Sequence, residues 1–189
     1  MQQEELEELM LETKILMEGA IEHFHAELIK VRAGKASPDM LSGLRVNYYG
    51  APTPIKQVAN IAVSDSRTLV IQPYEKNLIG DIERSIFEAN LGVTPQNDGE
   101  VIRIIIPPLT EERRRDLVKR VKSLGEESKV GVRSARHSGM DKIRKAVKAG
   151  ELPEDNGKRR EQQIQDMTDS FSKKIDEMIS NKEKDIMTI

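Results

Sequence analysis

Residues 110–148 read TEERRRDLVKRVKSLGEESKVGVRSARHSGMDKIRKAVK, and one helical pattern runs along this whole segment. Apolar or small residues recur along it at alternating spacings of three and four, which is the periodicity of one helix face. Thr110 is a suitable N-cap, and Gly150 with Pro153 ends the pattern. We therefore predict one helix of about 39 residues, roughly 58 Å long. Its buried face is predicted to comprise Leu117, Val121, Leu124, Ser128, Val132, Ala135, Gly139 and Ile143.

Two further segments carry the same periodicity. In the segment at the start of the chain, the apolar face is Leu6, Met10, Thr13, Met17, Ala20, Phe24, Leu28 and Val31. After residues 110–148 the face is Ile164, Met167, Phe171, Ile175, Met178, Lys182 and Ile186. No amphipathic helix of this kind can bury its apolar face alone, so the three predict an antiparallel three-helix bundle.

The segment between the first two helices has a different pattern. Short β-branched or aromatic runs predict strands near residues 45–49, 60–63, 68–72 and 101–106, and residues 77–91 predict a helix. Gly50–Pro54, which reads GAPTP, predicts a rigid turn, with an exposed partner-contact loop as the alternative. The segment is predicted to be a small α/β or β/α/β module.

The fold class is therefore α+β: residues 1–30 and 107–189 form the bundle, and residues 31–106 form an inserted domain. Two chain crossings would connect the domains as a hinge, and we expect relative domain motion because such a joint has little interface to rigidify it. The predicted hinge residues are Arg32, Gly34, Pro38, Pro107 and Pro108.

The net charge of −2 conceals an uneven distribution. Residues 109–148 carry 13 basic and 6 acidic residues, a net charge of +7, whereas residues 1–30 have −6 and residues 149–189 have −3. Such asymmetry within one chain indicates a charged partner.

On a helical wheel most of the basic residues fall within an arc of about 100°. We call this set the basic ridge: Arg115, Lys119, Lys122, Lys129, Arg133, Arg136 and Arg144. Glu126 is the one acidic residue inside the arc. A face of one sign repels itself, and a polyphosphate relieves that repulsion, so the ridge favours nucleic-acid binding through backbone and shape. The alternatives are a solvated face balanced by the acidic helices, and an acidic protein or membrane surface.

Composition excludes several other classes. The chain has no Cys, which rules out disulfide scaffolds and thiolate chemistry, and aromatic residues make up 3%, too few for a broad base-stacking platform. We find no nucleophile motif, no metal-ligand spacing around the three His residues, no membrane span and no basic leader, so we expect a cytoplasmic protein without cofactor or metal. A helical tethering protein that self-associates is the competing hypothesis, followed by an enzyme.

Several stretches together resemble the ribosome recycling factor family over nearly the whole chain. They are VRAGKASP at 31–38, YYGAPTP at 48–54, DSRTL at 65–69, LGVTP at 91–95, IR at 102–103, PPLTEERR at 107–114, KVGVRSAR at 129–136 and KEKDI at 182–186. The chain departs from the family at Tyr74-Glu75, where an aromatic residue is usually followed by Asp, and at His137–Gly139. At Gly139 we expect the helix to be weaker than with Ala by up to about 1 kcal/mol.

The resemblance implies a non-enzymatic, L-shaped molecule that binds between the subunits of the post-termination ribosome. With elongation factor G, which hydrolyses GTP, it would help to split the subunits, with the inserted domain facing the translocase. It also implies a monomer without a small-molecule substrate, in which Arg133 and Arg136 contact large-subunit rRNA. The ridge and the resemblance together give this predicted rRNA-binding set: Arg32, Arg113, Arg114, Arg115, Lys119, Lys122, Lys129, Arg133 and Arg136.

Overall fold

The computed structural model describes residues 2–188; Met1 and Ile189, which the predicted bundle segments include, lie outside them. The chain divides into two compact units between Ala33 and Gly34 and again between Thr110 and Glu111. These divisions fall three and four residues beyond the boundaries expected from the sequence.

The first unit consists of three long helices, α1 (Gln3–Lys30), α4 (Glu111–Lys148) and α5 (Glu154–Met187), with labels given in chain order. Both neighbours of α4 run antiparallel to it. The Ser128 hydroxyl on α4 donates to the Ala20 carbonyl on α1. Lys142, which comes later on α4, pairs with Glu12, which comes earlier on α1. The predicted three-helix bundle is therefore present.

The bundle core follows the predicted faces with small shifts. On α4 every predicted position is buried except Leu124, which is half-buried. On α1 the buried residues include Leu9 and Ile21, whereas the predicted Met10 and Ala20 are half-buried. Each difference replaces one position by its chain neighbour, and the other six predicted positions of this face are buried, so the amphipathic division is intact.

The second unit contains a two-stranded hairpin and a four-stranded sheet. Strands β1 (Arg45–Tyr48) and β2 (Ala51–Pro54) form the hairpin. The sheet has the order β3-β4-β6-β5 and contains β3 (Ala59–Asp65), β4 (Thr68–Pro73), β5 (Pro95–Asn97) and β6 (Ile102–Ile105). The helices are α2 (Ile55–Val58) and α3 (Ile79–Glu88), and short 3-10 turns span Pro38–Leu41 and Lys76–Leu78. Its own core includes Leu69, Ile71, Ile82, Ile86, Ile102 and Ile104, all fully buried.

Two sequence predictions for this unit were wrong. Residues 51–54 form strand β2, and the turn is confined to Tyr49 and Gly50, which both have positive φ. A strand with two prolines is possible because β2 pairs only with β1, so its other edge needs no N–H donors. Every strand pair within residues 34–110 is antiparallel, so the sheet does not contain the parallel pairing of a β/α/β unit.

Asp98 holds the turn between β5 and β6 together. Its Oδ1 accepts hydrogen bonds from the backbone N–H groups of Val101 (2.8 Å) and Glu100 (2.9 Å). These bonds, reinforced by the charge of Arg103, lower the pKa of Asp98 below its ordinary value. A lowered pKa in the folded state means that the carboxylate stabilises the fold above the ordinary aspartate pKa, and that this contribution is lost as the pH falls through the lowered value.

Replacing Asp98 by Ala should therefore lower the urea midpoint of the inserted domain at neutral pH. The difference from the unsubstituted protein should shrink and vanish as the carboxyl becomes protonated in strong acid. Tyrosine fluorescence measures this unfolding selectively, since the chain has no Trp and its three Tyr residues all lie in this unit. Glu88→Ala, which removes an exposed carboxylate from α3, is the control. A pH-independent loss in the Asp98 variant would contradict the charged hydrogen bonds as its cause.

Candidate nucleic-acid interface

The basic ridge lies on one unbroken helix. Because α4 is continuous from Glu111 to Lys148, the seven ridge residues keep the angular spacing predicted from the sequence. Arg115, Lys119, Lys122, Arg133 and Arg144 are exposed, whereas Lys129 and Arg136 are half-buried. The ridge therefore runs beside the buried face and not opposite it.

The arginines at the start of α4 do not all belong to this face. Successive helical residues differ by about 100°, so Arg113, Arg114 and Arg115 point in three directions, and only Arg115 lies on the ridge. Arg114 is half-buried, and its Nε is buried without a hydrogen-bond partner. Arg32 lies outside α4, in the exposed linker that follows α1. The structure thus brings six residues of the predicted binding set onto one face and leaves three off it.

Acidic side chains of α5 border the ridge. Lys129 Nζ lies 2.6 Å from an Asp176 carboxylate oxygen, and Arg144 Nε lies 2.7 Å from Glu161. Lys122 Nζ is 3.9 Å from Glu183. Three ridge cations therefore have anionic partners on the neighbouring helix, as the hypothesis of a balanced solvated face requires.

Sequence reasoning missed these acidic partners, although a signal was present. Glu161, Asp176 and Glu183 fall within about 60° of one another on the wheel of α5. Whether that face meets the ridge depends on the register between α4 and α5, which no pattern within one helix reveals.

Two ridge residues, Lys119 and Arg136, have no carboxylate partner within residues 2–188. Arg136 Nε donates to the Gln165 side-chain oxygen at 2.7 Å, and this neutral amide orients the guanidinium without cancelling its charge. Arg133 pairs with Glu126 at 2.6 Å, an exposed contact within α4. Within residues 2–188 Lys119 makes no ion pair.

The geometry can bind phosphates despite the acidic neighbours. Exposed ion pairs contribute only about 0–1 kcal/mol, because water screens them and two long side chains must be ordered. Most of the pairs along the ridge are of this kind; Lys129, with 25% of its side chain exposed, is the most enclosed. A polyphosphate gains counterion release at each contact and can replace such partners. The ridge is therefore able to bind phosphates, and the acids of α5 would weaken that binding.

The predicted hinge residues lie at the two chain crossings. Gly34 has φ +75°, a left-handed conformation that favours glycine, and a Cβ there would approach Leu109 Cγ to 2.8 Å. Pro38 begins a 3-10 turn, and Pro107 and Pro108 lie between β6 and α4. The left-handed turn and the close approach to Leu109 explain why glycine occupies position 34.

Metal sites and membrane spans are two further features that the described part of the chain could carry. No group of three or more His, Asp or Glu side chains there could hold a metal ion. None of the described helices is both long enough and apolar enough to cross a membrane.

Sequence comparison finds known proteins that are similar to this chain. The family model described as ribosome recycling factor matches residues 24–187. A ribosome-recycling factor of Porphyromonas gingivalis is 49% identical over 185 residues, covering 98% of this chain and 100% of that protein. Its counterpart in Bacillus thuringiensis is 54% identical over 173 residues, covering 92% of this chain and 94% of the relative.

Solved structures agree with the sequence matches. A solution structure of the ribosome recycling factor aligns with a TM-score of 0.79 at 36% identity and covers 98% of both chains. A second match has a TM-score of 0.65 at 42% identity, covering 97% of this chain and 99% of the other. It belongs to models for the T. thermophilus ribosome recycling factor and the E. coli elongation factor G bound to the E. coli post-termination complex. The α+β fold class predicted from the sequence is thus confirmed.

Proposed function

The chain belongs to the ribosome recycling factor family, and we propose that it binds the post-termination ribosome and, with elongation factor G and GTP, promotes subunit splitting. The match to a ribosome-recycling factor along that relative's whole length carries this proposal. A ribosome recycling factor is a translation factor and not an enzyme, so the energy comes from GTP hydrolysed by the partner.

For docking, we propose that the basic ridge contacts large-subunit rRNA through phosphates. Arg133 and Arg136 would form the centre of the contact, with Lys119, Lys122 and Lys129 beside them. Arg is suited to this role because its planar guanidinium can donate two parallel hydrogen bonds to one phosphate. Contacts with the rRNA from Arg32, Arg113 and Arg114 would lie outside the ridge.

For the mechanism, we propose a rigid bundle and a mobile inserted domain. Phosphate contacts would position the three-helix rod, and the translocase would push on the second domain. The crossings at Gly34–Pro38 and Pro107–Pro108 would permit this motion because few residues connect the units. The factor would act as a monomer in the cytoplasm, where post-termination ribosomes accumulate.

A subunit-splitting assay tests the function directly. Purified factor, matched elongation factor G and GTP are added to post-termination ribosomes, and light scattering follows conversion into subunits. We expect splitting that requires both proteins and GTP. No splitting above the level of elongation factor G alone would overturn the proposal.

The competing hypothesis is a helical tethering protein whose charges serve pairing with partner helices, and the ion pairs between α4 and α5 show that part of the ridge charge already serves helix pairing within the bundle. It predicts self-association and little salt-sensitive RNA affinity, whereas the proposed function predicts a monomer that co-sediments with large subunits at low salt. Sedimentation of the purified protein alone and with large subunits separates the two.

Replacing Asp176 by Asn should strengthen binding to large subunits. The substitution leaves Lys129 without its anionic partner, so a phosphate no longer competes with a carboxylate. We expect affinity to rise about twofold to fivefold, the equivalent of one exposed ion pair. Asp166→Asn makes the same charge change on the outward face of α5 and is the matched control. Equal affinities of the two variants would show that Lys129 does not meet the RNA.

A further inference from the structure

Two of the three tyrosines of the chain converge on one carboxylate in the inserted domain. The Tyr48 hydroxyl donates to Glu75 Oε1 at 3.1 Å, and the Tyr49 hydroxyl donates to Oε2 at 2.9 Å. The rings meet edge to face, with centroids 4.7 Å apart and planes inclined by 79°. We call these three residues the tyrosine–carboxylate site.

The carboxylate of this site has hydroxyl groups as its partners. Among the described residues, the structure pairs Glu75 with hydroxyl donors and with no Lys or Arg. The hydrogen bond to Glu75, followed by its negative charge, raises the pKa of Tyr48, so this hydroxyl stays protonated and neutral. Asn77 Nδ2 contacts the Tyr49 hydroxyl at 3.4 Å and helps to hold the arrangement. The result is a carboxylate held at the hydroxyl ends of two aromatic rings.

Tyr49 occupies a conformation that does not suit its side chain. Its φ is +49°, in the left-handed region where Asn and Gly are the usual turn residues. It is also 73% exposed, so its ring adds little to the core. A large aromatic residue kept exposed at a strained turn position indicates a contact function.

We propose that the tyrosine–carboxylate site binds an arginine side chain presented by a protein partner. A guanidinium stacks on aromatic faces and also donates paired hydrogen bonds to a carboxylate, so it uses both features of the site. A phosphate backbone would be repelled by Glu75, which makes RNA a poor occupant. The proposal rests on the proposed function for its setting: the partner is a protein met at the post-termination ribosome.

A titration with a defined probe tests the binding chemistry. The probe is the peptide acetyl-Gly-Arg-Gly-amide, compared with the same peptide carrying citrulline, which keeps the shape and lacks the charge. NMR of the full-length protein follows the ring signals of its three tyrosines. We expect saturable shifts with the arginine peptide, and binding about fivefold weaker with citrulline or in Glu75→Gln. Equal responses to the two peptides, or no saturable shift, would overturn the proposal.

Two variants connect the site to function without disturbing the fold. Tyr49→Asn removes the ring and suits the left-handed backbone, so the hairpin should remain intact. Glu75→Gln is the second variant. Each of the two should slow factor-dependent splitting while leaving salt-dependent binding to large subunits unchanged. If both variants split ribosomes as fast as the original protein, the tyrosine–carboxylate site is not a docking site, although the recycling function stands. If the original protein itself splits none, the proposed function fails instead. A short RNA oligonucleotide that shifts the same ring signals would overturn the choice of partner.

Discussion

Replacing Arg136 by Ala should weaken binding to the large ribosomal subunit about 10-fold to 100-fold. A charge-assisted hydrogen bond contributes about 1.5–3 kcal/mol, and 1.4 kcal/mol corresponds to a factor of ten in affinity. Arg136 is the ridge residue for which this loss should be largest, because Gln165 orients its guanidinium and no carboxylate within residues 2–188 neutralises it. The same substitution should reduce the slope of log affinity against log salt concentration by about one.

The measurement is a salt titration of large-subunit binding, from about 50 to 200 mM monovalent salt. Arg136→Lys keeps the charge and loses the planar fork, so it should bind with intermediate affinity. Arg159→Ala is the matched control, since it removes one exposed arginine charge from the outward side of α5. Thermal melting of each variant checks the fold, because the half-buried stem of Arg136 also contributes packing. Affinity that did not change with salt would remove the ridge as the docking surface.

The bundle could be predicted from the sequence because its information is local. The spacing of Leu117, Val121, Val132 and Ile143 defines one face of α4 without reference to any other element. The basic ridge is local in the same sense, since seven side chains on one helix fix their own directions. The periodicity of residues along α4 therefore predicts both its buried face and the basic ridge.

The inserted domain was harder to predict because its strands are short and carry weak signals. Strand β5 spans three residues, Pro95–Asn97, too few for an alternating pattern. In β2 the prolines at 52 and 54 argue against a strand unless its outer edge is unpaired. Pairing with β1 decides the conformation there, and the residues of β2 taken alone do not reveal that pairing.

The charge balance of the candidate interface was predicted incompletely for a related reason. Net charge by segment identified α4 as basic and α5 as acidic, but not which acids meet which bases. The contacts of Asp176 with Lys129 and of Glu161 with Arg144 depend on how two helices are aligned along their axes. The contact of Arg136 with neutral Gln165 depends on the same alignment, and it distinguishes this arginine from its neighbours.

Gly139 shows how tertiary packing reverses an expectation from helix propensity. The sequence suggests a weak point, at which Ala would strengthen the helix by up to about 1 kcal/mol. In the structure Gly139 is buried between α1 and α5, and a Cβ there would lie 2.7 Å from Thr13 Oγ1 and 3.2 Å from Ile164 Cδ1. Helix propensity is therefore not the only term at this position: glycine allows the three helices to approach closely at this level.

Replacing Gly139 by Ala should destabilise the bundle. Thr13 is fully enclosed, has a β-branched side chain with restricted rotamers, and donates from its hydroxyl to the Leu9 carbonyl at 2.9 Å. Ile164 is also completely buried, so neither neighbour can move without opening the core. Overpacking of this kind costs about 1–3 kcal/mol, which outweighs the propensity gain. We expect a net loss of about 1–2 kcal/mol, measured by urea unfolding followed by circular dichroism at a helix-sensitive wavelength.

Gly19→Ala is the matched control, because Gly19 is exposed in the middle of α1 and, apart from its own helix backbone and chain neighbours, no atom of residues 2–188 lies within 4 Å of where its Cβ would be. Its substitution should change stability in the opposite direction, by a gain of up to about 1 kcal/mol from propensity alone. Comparing the two variants separates the effect of packing on stability from that of helix propensity, because both glycines are helical and both gain one methyl group. If the two variants were stabilised equally, the close approach of α1, α4 and α5 at Gly139 would not constrain the bundle. A loss at Gly139 with a gain at Gly19 would show that the rod carrying the ridge depends on that approach.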